Sequence, residues 1–368
     1  MISKTDPLPV ALIGCGNFAR QQHLPWLGRF DHARLTCVCD SDAAAAAAAA
    51  ERFGAESSCT DWRSVAGDPG VAAGVVAVRD EFQAEIAEGL LLAGKHVYVE
   101  KPGAVSEAEF GRLIRARDRS GRLAAVGFQK RFSPAYRAVR DLFASAGPPR
   151  TFFCRMADDA WRWAKGYPPG ALLRHDACHL FDLLRFFTGS EVRTLYAVSG
   201  HADEDALLLQ FENGATATLL LSGHASMDFP KERLEAFPER GAVTMDDFVE
   251  VRCYGFPDFP ALQTFPLLNA ETGLPVGGAP GLEAFRTLRR EAWLAWREAG
   301  GVPEVIPNFL RDQGWSESLS RFVSAVQKEE PDIHATLEDA RAAARIAWRA
   351  EAARSGAQLQ AGEVKLEP

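Results

Sequence analysis

Val10-Ala11-Leu12-Ile13-Gly14-Cys15-Gly16-Asn17-Phe18-Ala19 decides how this chain is read. A short β-rich apolar run, Val10–Ile13, leads directly into Gly14-x-Gly16-x-x-Ala19 and then into a stretch with helical character to about Phe30. Small residues at those three positions let the backbone approach a pyrophosphate at a helix start, so strand, turn and helix together form a dinucleotide fingerprint. Gly14, Gly16, Asn17, Phe18 and Ala19 are therefore candidate cofactor-binding positions. Asp40 ends the next strand, Leu35–Cys39, where an acid accepts hydrogen bonds from the adenosine ribose hydroxyls. Its charge, reinforced by Asp42, opposes a 2′-phosphate, which favours NAD; NADP stays possible through Ser41.

The same alternation continues outward. Asp42 caps a helix opened by Ala43–Ala50, Gly74–Val78 is a buried strand, and Glu85–Ala93 is a helix stopped by Gly94. Strand His96–Val99, helix Ser106–Ser120 and strand Leu123–Val126 complete a doubly wound parallel sheet. From Arg150 the pattern changes to strands that follow one another, Thr151–Arg155, Arg193–Val198, Ala206–Phe211, Ala215–Leu221, Glu232–Ala236 and Val243–Asp246. Turn signals at Asn213-Gly214 and Arg240-Gly241 make this second sheet mostly antiparallel, with helix Cys178–Thr188 interrupting it. The expected class is α/β, with a parallel-sheet domain over 1–126 and an α/β domain with a large open sheet over 127–368.

The 368 residues, more than one core usually holds, carry 41 basic and 49 acidic side chains, a net charge of −8. With no basic block, a nucleic acid or an anionic membrane surface is not an expected partner. No stretch approaches the roughly 18 uncharged apolar residues of a membrane span. Seven scattered cysteines read as reduced, buried thiols, and the expected location is the cytoplasm. No Cys or His spacing suggests a metal, and no nucleophile-elbow motif is present.

Glu100-Lys101-Pro102 lies at the carboxyl edge of a buried strand, where doubly wound sheets place ligands. The Lys101 ammonium can hold a substrate oxygen while hydride moves between carbon and nicotinamide; a solvated lysine is the bland alternative. Arg79, just after another strand, pairs with pyrophosphate or a charged substrate, or lies on the surface. Trp161 and Trp163 either stack on a sugar ring or close the core. Arg131 and Arg155 are anchors for a substrate phosphate or carboxylate, or members of salt bridges.

Four strings occur in order: Gly14-x-Gly16-x-x-Ala19, then Ala93-Gly94-Lys95-His96-Val97-Tyr98-Val99-Glu100-Lys101-Pro102, then Gly127-Phe128-Gln129-Lys130-Arg131-Phe132-Ser133-Pro134, then Cys178-His179-x-x-Asp182-Leu183. Over nearly the whole chain they resemble the Gfo/Idh/MocA oxidoreductases. The resemblance implies a Rossmann domain and a second domain whose open sheet joins a homo-oligomer, a dimer or tetramer. It also implies that Lys101 and His179 act on a substrate hydroxyl, with Glu100 grouped among the cofactor residues. An imidazole titrating near ~6.5 can take and return that proton at neutral pH. The family aspartate four residues before the histidine falls on His175, which reads as structural or substrate-contacting, while Asp176 is an alternative helper one turn from His179. The Thr-Pro expected after the fourth strand is replaced by Val78-Arg79-Asp80.

The function expected is NAD(P)-dependent interconversion of a secondary alcohol and a ketone on a sugar, sugar nucleotide or cyclitol, in a biosynthetic setting. Two rivals stand beside it: a glycosidase-type lyase or hydrolase that oxidises transiently with tightly bound NAD, and an NAD-binding sensor or scaffold whose site has decayed.

Overall fold

The computed structural model describes residues 6–160, 170–201, 203–269, 273–276, 278–301, 311–328, 335–356 and 362–365. The chain forms two compact units, one within Met1–Arg131 and Gly314–Arg341, the other within Phe132–Gln313 and Ala342–Pro368.

In the first unit six strands, β1 (Leu8–Ile13), β2 (Ala33–Cys39), β3 (Ser57–Cys59), β4 (Ala73–Val76), β5 (His96–Val99) and β6 (Ala124–Val126), form one parallel sheet in the order β3-β2-β1-β4-β5-β6. Helices between the strands cover the sheet, which is why β1, β4 and β6 are buried along their whole length. Asp42 caps helix Ala43–Phe53 by accepting from the amides of Ala44 and Ala45, and the alanine run propagates it. The helix expected to reach Phe30 is instead two pieces, Asn17–Gln22 and Leu24–Leu27, because Pro25 in the first turn of the second piece has no N–H to continue the ladder. Helix Trp315–Lys328 returns to this unit and adds Leu319, Phe322 and Val323 to a core with Val10, Leu12, Leu24, Val38 and Val75. Tyr98 and Ser318 meet through their hydroxyls at 3.1 Å in that core.

The second unit is built on nine strands: β7 (Thr151–Ala157), β8 (Val192–His201), β9 (Glu204–Phe211), β10 (Thr216–Ser222), β11 (Glu232–Phe237), β12 (Ala242–Asp246), β13 (Glu250–Tyr254), β14 (Leu262–Thr264) and β15 (Gly362–Lys365). Their order is β14-β13-β12-β11-β7-β10-β9-β8-β15, and only the β7–β10 pair is parallel. Alternation is clean: on β9, Leu207, Leu209 and Phe211 are buried while Ala206, Leu208 and Gln210 face out. Gly214 (φ +87°) and Arg240 (φ +61°) make the expected turns, Arg240 itself taking the left-handed conformation. Pro134–Ala146 is a helix with no counterpart in the sequence reading, although Ala135, Tyr136, Val139, Leu142 and Phe143 bury one stripe of it. Phe143 packs edge-on against Phe152 of β7 and Phe187 of helix Ala177–Thr188. Among the described residues no helix is long and apolar enough to cross a membrane.

His96, at the start of β5, accepts the Leu123 amide at Nδ1 and lies 3.4 Å from the Arg122 guanidinium at Nε2. Burial, then the Arg122 charge, push its pKa from 6.5 down to about 4. The fold thus keeps this ring neutral, while the unfolded chain takes a proton once the pH falls below about 6.5. Its contribution to stability is intact above that pH and shrinks as the pH falls towards 4. His96→Gln is expected to flatten the fall in thermal midpoint between pH 7 and 5; identical slopes for parent and variant would show that His96 is not the source.

Candidate cofactor and catalytic site

The first unit contains a cavity of about 440 Å³ at the carboxyl ends of β1, β2 and β4. That volume lies within the roughly 300–1,000 Å³ common for small-molecule sites. Gly14, Gly16, Cys39, Asp40, Ser41, Thr60, Val78 and Arg79 line it, and Trp62, Phe82 and Ile86 supply flat apolar surface. Gly14 has φ +91°, and a Cβ there would stand 2.6 Å from the Ala77 carbonyl oxygen, so only glycine fits between β1 and the end of β4. At Gly16, by contrast, a Cβ would meet nothing within 4 Å. One glycine closes the turn and the other leaves room above it.

Asp40 is wired into that turn. Its Oδ2 accepts the Cys15 amide at 2.9 Å and the Cys15 thiol at 3.4 Å, and its Oδ1 accepts the Asp42 amide at 3.0 Å. Burial pushes its pKa up, but the amide bonds outweigh burial and hold the carboxyl below its ordinary value. Three of the carboxylate's roughly four acceptor positions are thereby taken, and Oδ1 keeps one for a further donor. Burial and the Asp40 charge push the Cys15 thiol up to about 11, so it stays a donor.

The remaining fingerprint residues act through backbone and packing. Asn17 Oδ1 accepts from Arg20, the Phe18 ring stands edge-on to His23 and Trp315, and Ala19 is fully buried. Arg79 is largely exposed at the cavity rim, with Nε 3.4 Å from Glu81. Thr60, Trp62 and Phe82 escaped sequence reasoning: β3 is too short and polar to announce the wall that follows it, and Phe82 is marked only as an exposed aromatic in the first turn of helix Asp80–Leu92.

Lys101 follows β5, joined to Pro102 by a cis peptide bond. Two buried side chains fix this turn. Gln83 Nε2 donates to the carbonyls of Val78 (3.1 Å) and Lys101 (3.4 Å), and its Oε1 accepts the Gly103 amide at 2.9 Å. Glu100, placed by sequence among the cofactor residues, does not line the cavity. Its carboxylate holds His23 Nε2 at 2.9 Å and accepts the Lys101 amide at 3.3 Å, because it is packed under Gly127, where a Cβ would come within 2.9 Å of Oε1. Arg131 pairs with Asp339 at 3.4 Å with its side chain almost wholly buried, which makes it a structural ion pair rather than an open anchor.

In the second unit His175 ends helix Ala171–His175, Asp176 breaks the chain direction, and buried His179 lies in the first turn of helix Ala177–Thr188. Asp176 occupies the cap position without capping, because its carboxylate is taken up by Lys231 Nζ at 2.6 Å. Asp158 holds the same ammonium at 2.7 Å. Burial disfavours the charged lysine, but the two carboxylates outweigh it and raise its pKa. The helper role expected of Asp176 beside His179 therefore has to be shared with this clamp. The Arg155 guanidinium carbon stands 4.6 Å from the centre of the Phe229 ring and the side chain donates to the Pro230 carbonyl at 3.1 Å, which ties it to the segment preceding Lys231. Trp161 and Trp163 lie outside the described residues. Among the described residues no group of three or more His, Cys, Asp or Glu is arranged to hold a metal.

Comparison with known proteins matches residues 8–128 to the oxidoreductase family's NAD-binding Rossmann fold and residues 137–244 to the Gfo/Idh/MocA C-terminal domain. Inositol 2-dehydrogenase 2 of Saccharopolyspora erythraea is 30% identical over 246 residues, 64% of this chain and 72% of that protein. A 4-carboxy-2-hydroxymuconate-6-semialdehyde dehydrogenase of a Sphingobium species is 29% identical over 58% of this chain and 71% of its own. The crystal structure of an oxidoreductase domain protein from Kribbella flavida superposes with a TM-score of 0.76 at 22% identity, covering 99% of this chain and 100% of the other, which shows a shared fold. The two family matches fall on the glycine turn with its cavity and on the unit that carries His179: the chain belongs to the Gfo/Idh/MocA oxidoreductases and carries their NAD-binding Rossmann domain.

Proposed function

We propose that this protein interconverts a secondary alcohol and a ketone on a cyclitol or a related polyhydroxylated sugar. The observation that carries the reading is the Gln83 staple, which fastens the Lys101 turn to Val78 in the wall of the cofactor cavity. A lysine carried by that turn would accompany chemistry at the cofactor rather than solvate the surface. Similarity to an inositol dehydrogenase supports a polyol substrate.

Gly14, Gly16 and the start of helix Asn17–Gln22 would hold the pyrophosphate, Asp40 the adenosine ribose, and Trp62, Phe82 and Ile86 the adenine face. When bound, NAD accepts or returns the hydride. Lys101 donates a hydrogen bond to the substrate oxygen and stabilises negative charge as it develops there. His179 takes the hydroxyl proton in oxidation and returns it in reduction, with Asp176 held by Lys231 at the foot of its helix. Exposed Val198, Leu208 and Leu220 on the outward face of β8, β9 and β10 suit assembly into a homo-oligomer.

Asp40→Asn is expected to raise the NADH dissociation constant about tenfold, the loss of one hydrogen bond to a charged group. It should also narrow the preference over NADPH, and fluorescence titration that finds parent and variant equal removes Asp40 from the ribose site. Lys101→Ala is expected to lower kcat on the best cyclitol by about 10²–10³ while NADH affinity is nearly kept. Turnover unchanged in that variant would refute the role given to Lys101, whereas loss of cofactor binding would mean that the turn had collapsed.

A further inference from the structure

The edge of the first unit's sheet carries a thiol cluster that the chemistry above does not use. Cys37 and Cys39 lie on β2 and Cys59 on β3, and the parallel register sets Cys39 directly opposite Cys59. The Cys37 and Cys59 sulfurs are 3.6 Å apart, and Cys39 and Cys59 interact side chain to side chain. Neighbouring strands run about 4.8 Å apart, inside the ~4.4–6.8 Å span of Cα atoms that a disulfide bridges. Cys37 lies two residues earlier on β2, opposite Ser57, so Cys39 is the better partner by backbone geometry.

This cluster adjoins the cofactor cavity. Cys39 and Thr60 line it, and the Cys59 carbonyl accepts the amide of Asp40 at 3.1 Å. We propose that Cys59 forms a reversible disulfide with the β2 thiols, Cys39 foremost, in the presence of hydrogen peroxide, and that closing this bond weakens NAD binding through Asp40.

The order of events follows from exposure. Burial pushes the Cys37 thiol up to about 11 and that of Cys39 higher still, so both stay protonated, whereas Cys59 is half-buried and reachable. Peroxide transfers one oxygen to the Cys59 sulfur, giving the sulfenic acid and water. The Cys39 sulfur then displaces that oxygen, which leaves with the Cys39 proton as a second water. Two electrons pass from the two sulfurs to the peroxide. Drawing sulfurs from contact to a bond of about 2.05 Å moves β3 against β2 at the residue that anchors Asp40.

The test uses the full chain. Peroxide treatment, alkylation of remaining thiols and tryptic digestion should yield residues 35–52 linked to residues 53–63, the peptides that hold Cys37 with Cys39 and Cys59. The linked pair should vanish on dithiothreitol. NADH titration should weaken about tenfold on oxidation, the loss of one hydrogen bond to a charged group, and recover on reduction. Cys59→Ser, or Cys59→Ala if the first variant does not fold, should bind NADH like the reduced parent and be indifferent to peroxide. Absence of the linked pair, a link elsewhere, or a linked pair with unchanged NADH affinity would each overturn the proposal.

Discussion

At Gly14 the first strand passes so close to the end of β4 that a single extra carbon would sit 2.6 Å from the Ala77 carbonyl oxygen. That approach sets the depth of the cofactor cavity, because it lets the turn double back at φ +91° and present the Cys15 amide to Asp40 rather than to solvent. Asp40 in turn receives the Asp42 amide, and Asp42 caps the alanine helix. One steric constraint therefore fixes, through a chain of hydrogen bonds, the turn, the Asp40 carboxylate and the helix behind it. Adding a side chain at Gly14 would have to separate β1 from β4 or unwind the turn, and either would disturb every later link.

A second set of constraints shapes the charged residues. Lys101 is carried by a turn whose own polar groups are satisfied from beneath by Gln83 and by Glu100, with His23 closing the Glu100 carboxylate. In the other unit Lys231 is enclosed by Asp158 and Asp176, leaving the trio with one net negative charge. Buried ions tolerate such places only when paired, so removing Lys231 would leave two carboxylates facing each other and would be strongly destabilising. The two arrangements share a logic: each charged or polar group that leaves solvent is met by a partner from a remote part of the chain.

Much of this was legible in the sequence, and what was not has a physical reason. Strand, glycine turn and Asp40 are local, so their meaning survives in a string of thirty residues; the same holds for the Asp42 cap and the Asn213-Gly214 turn. Edge strands β3 and β14, three residues each, bury too little to leave a hydrophobic run. The roles of Gln83, His23 and Lys231 are set by contacts between residues remote in sequence, and a buried glutamine or lysine carries no local sign of its partner. Glu100 shows the limit best. The family resemblance groups it with the cofactor residues, and what no local pattern announces is that under Gly127 its carboxylate meets His23.

The central claim is that this fold moves a hydride between a polyol carbon and NAD. A cyclitol carrying deuterium on its carbinol carbons, incubated with the protein and NAD, tests it most directly when the cofactor is recovered and weighed. Reduced cofactor heavier by one mass unit, appearing together with the ketone, is the result this account expects. Cofactor that binds yet returns without deuterium across a panel of labelled cyclitols and sugars would contradict it.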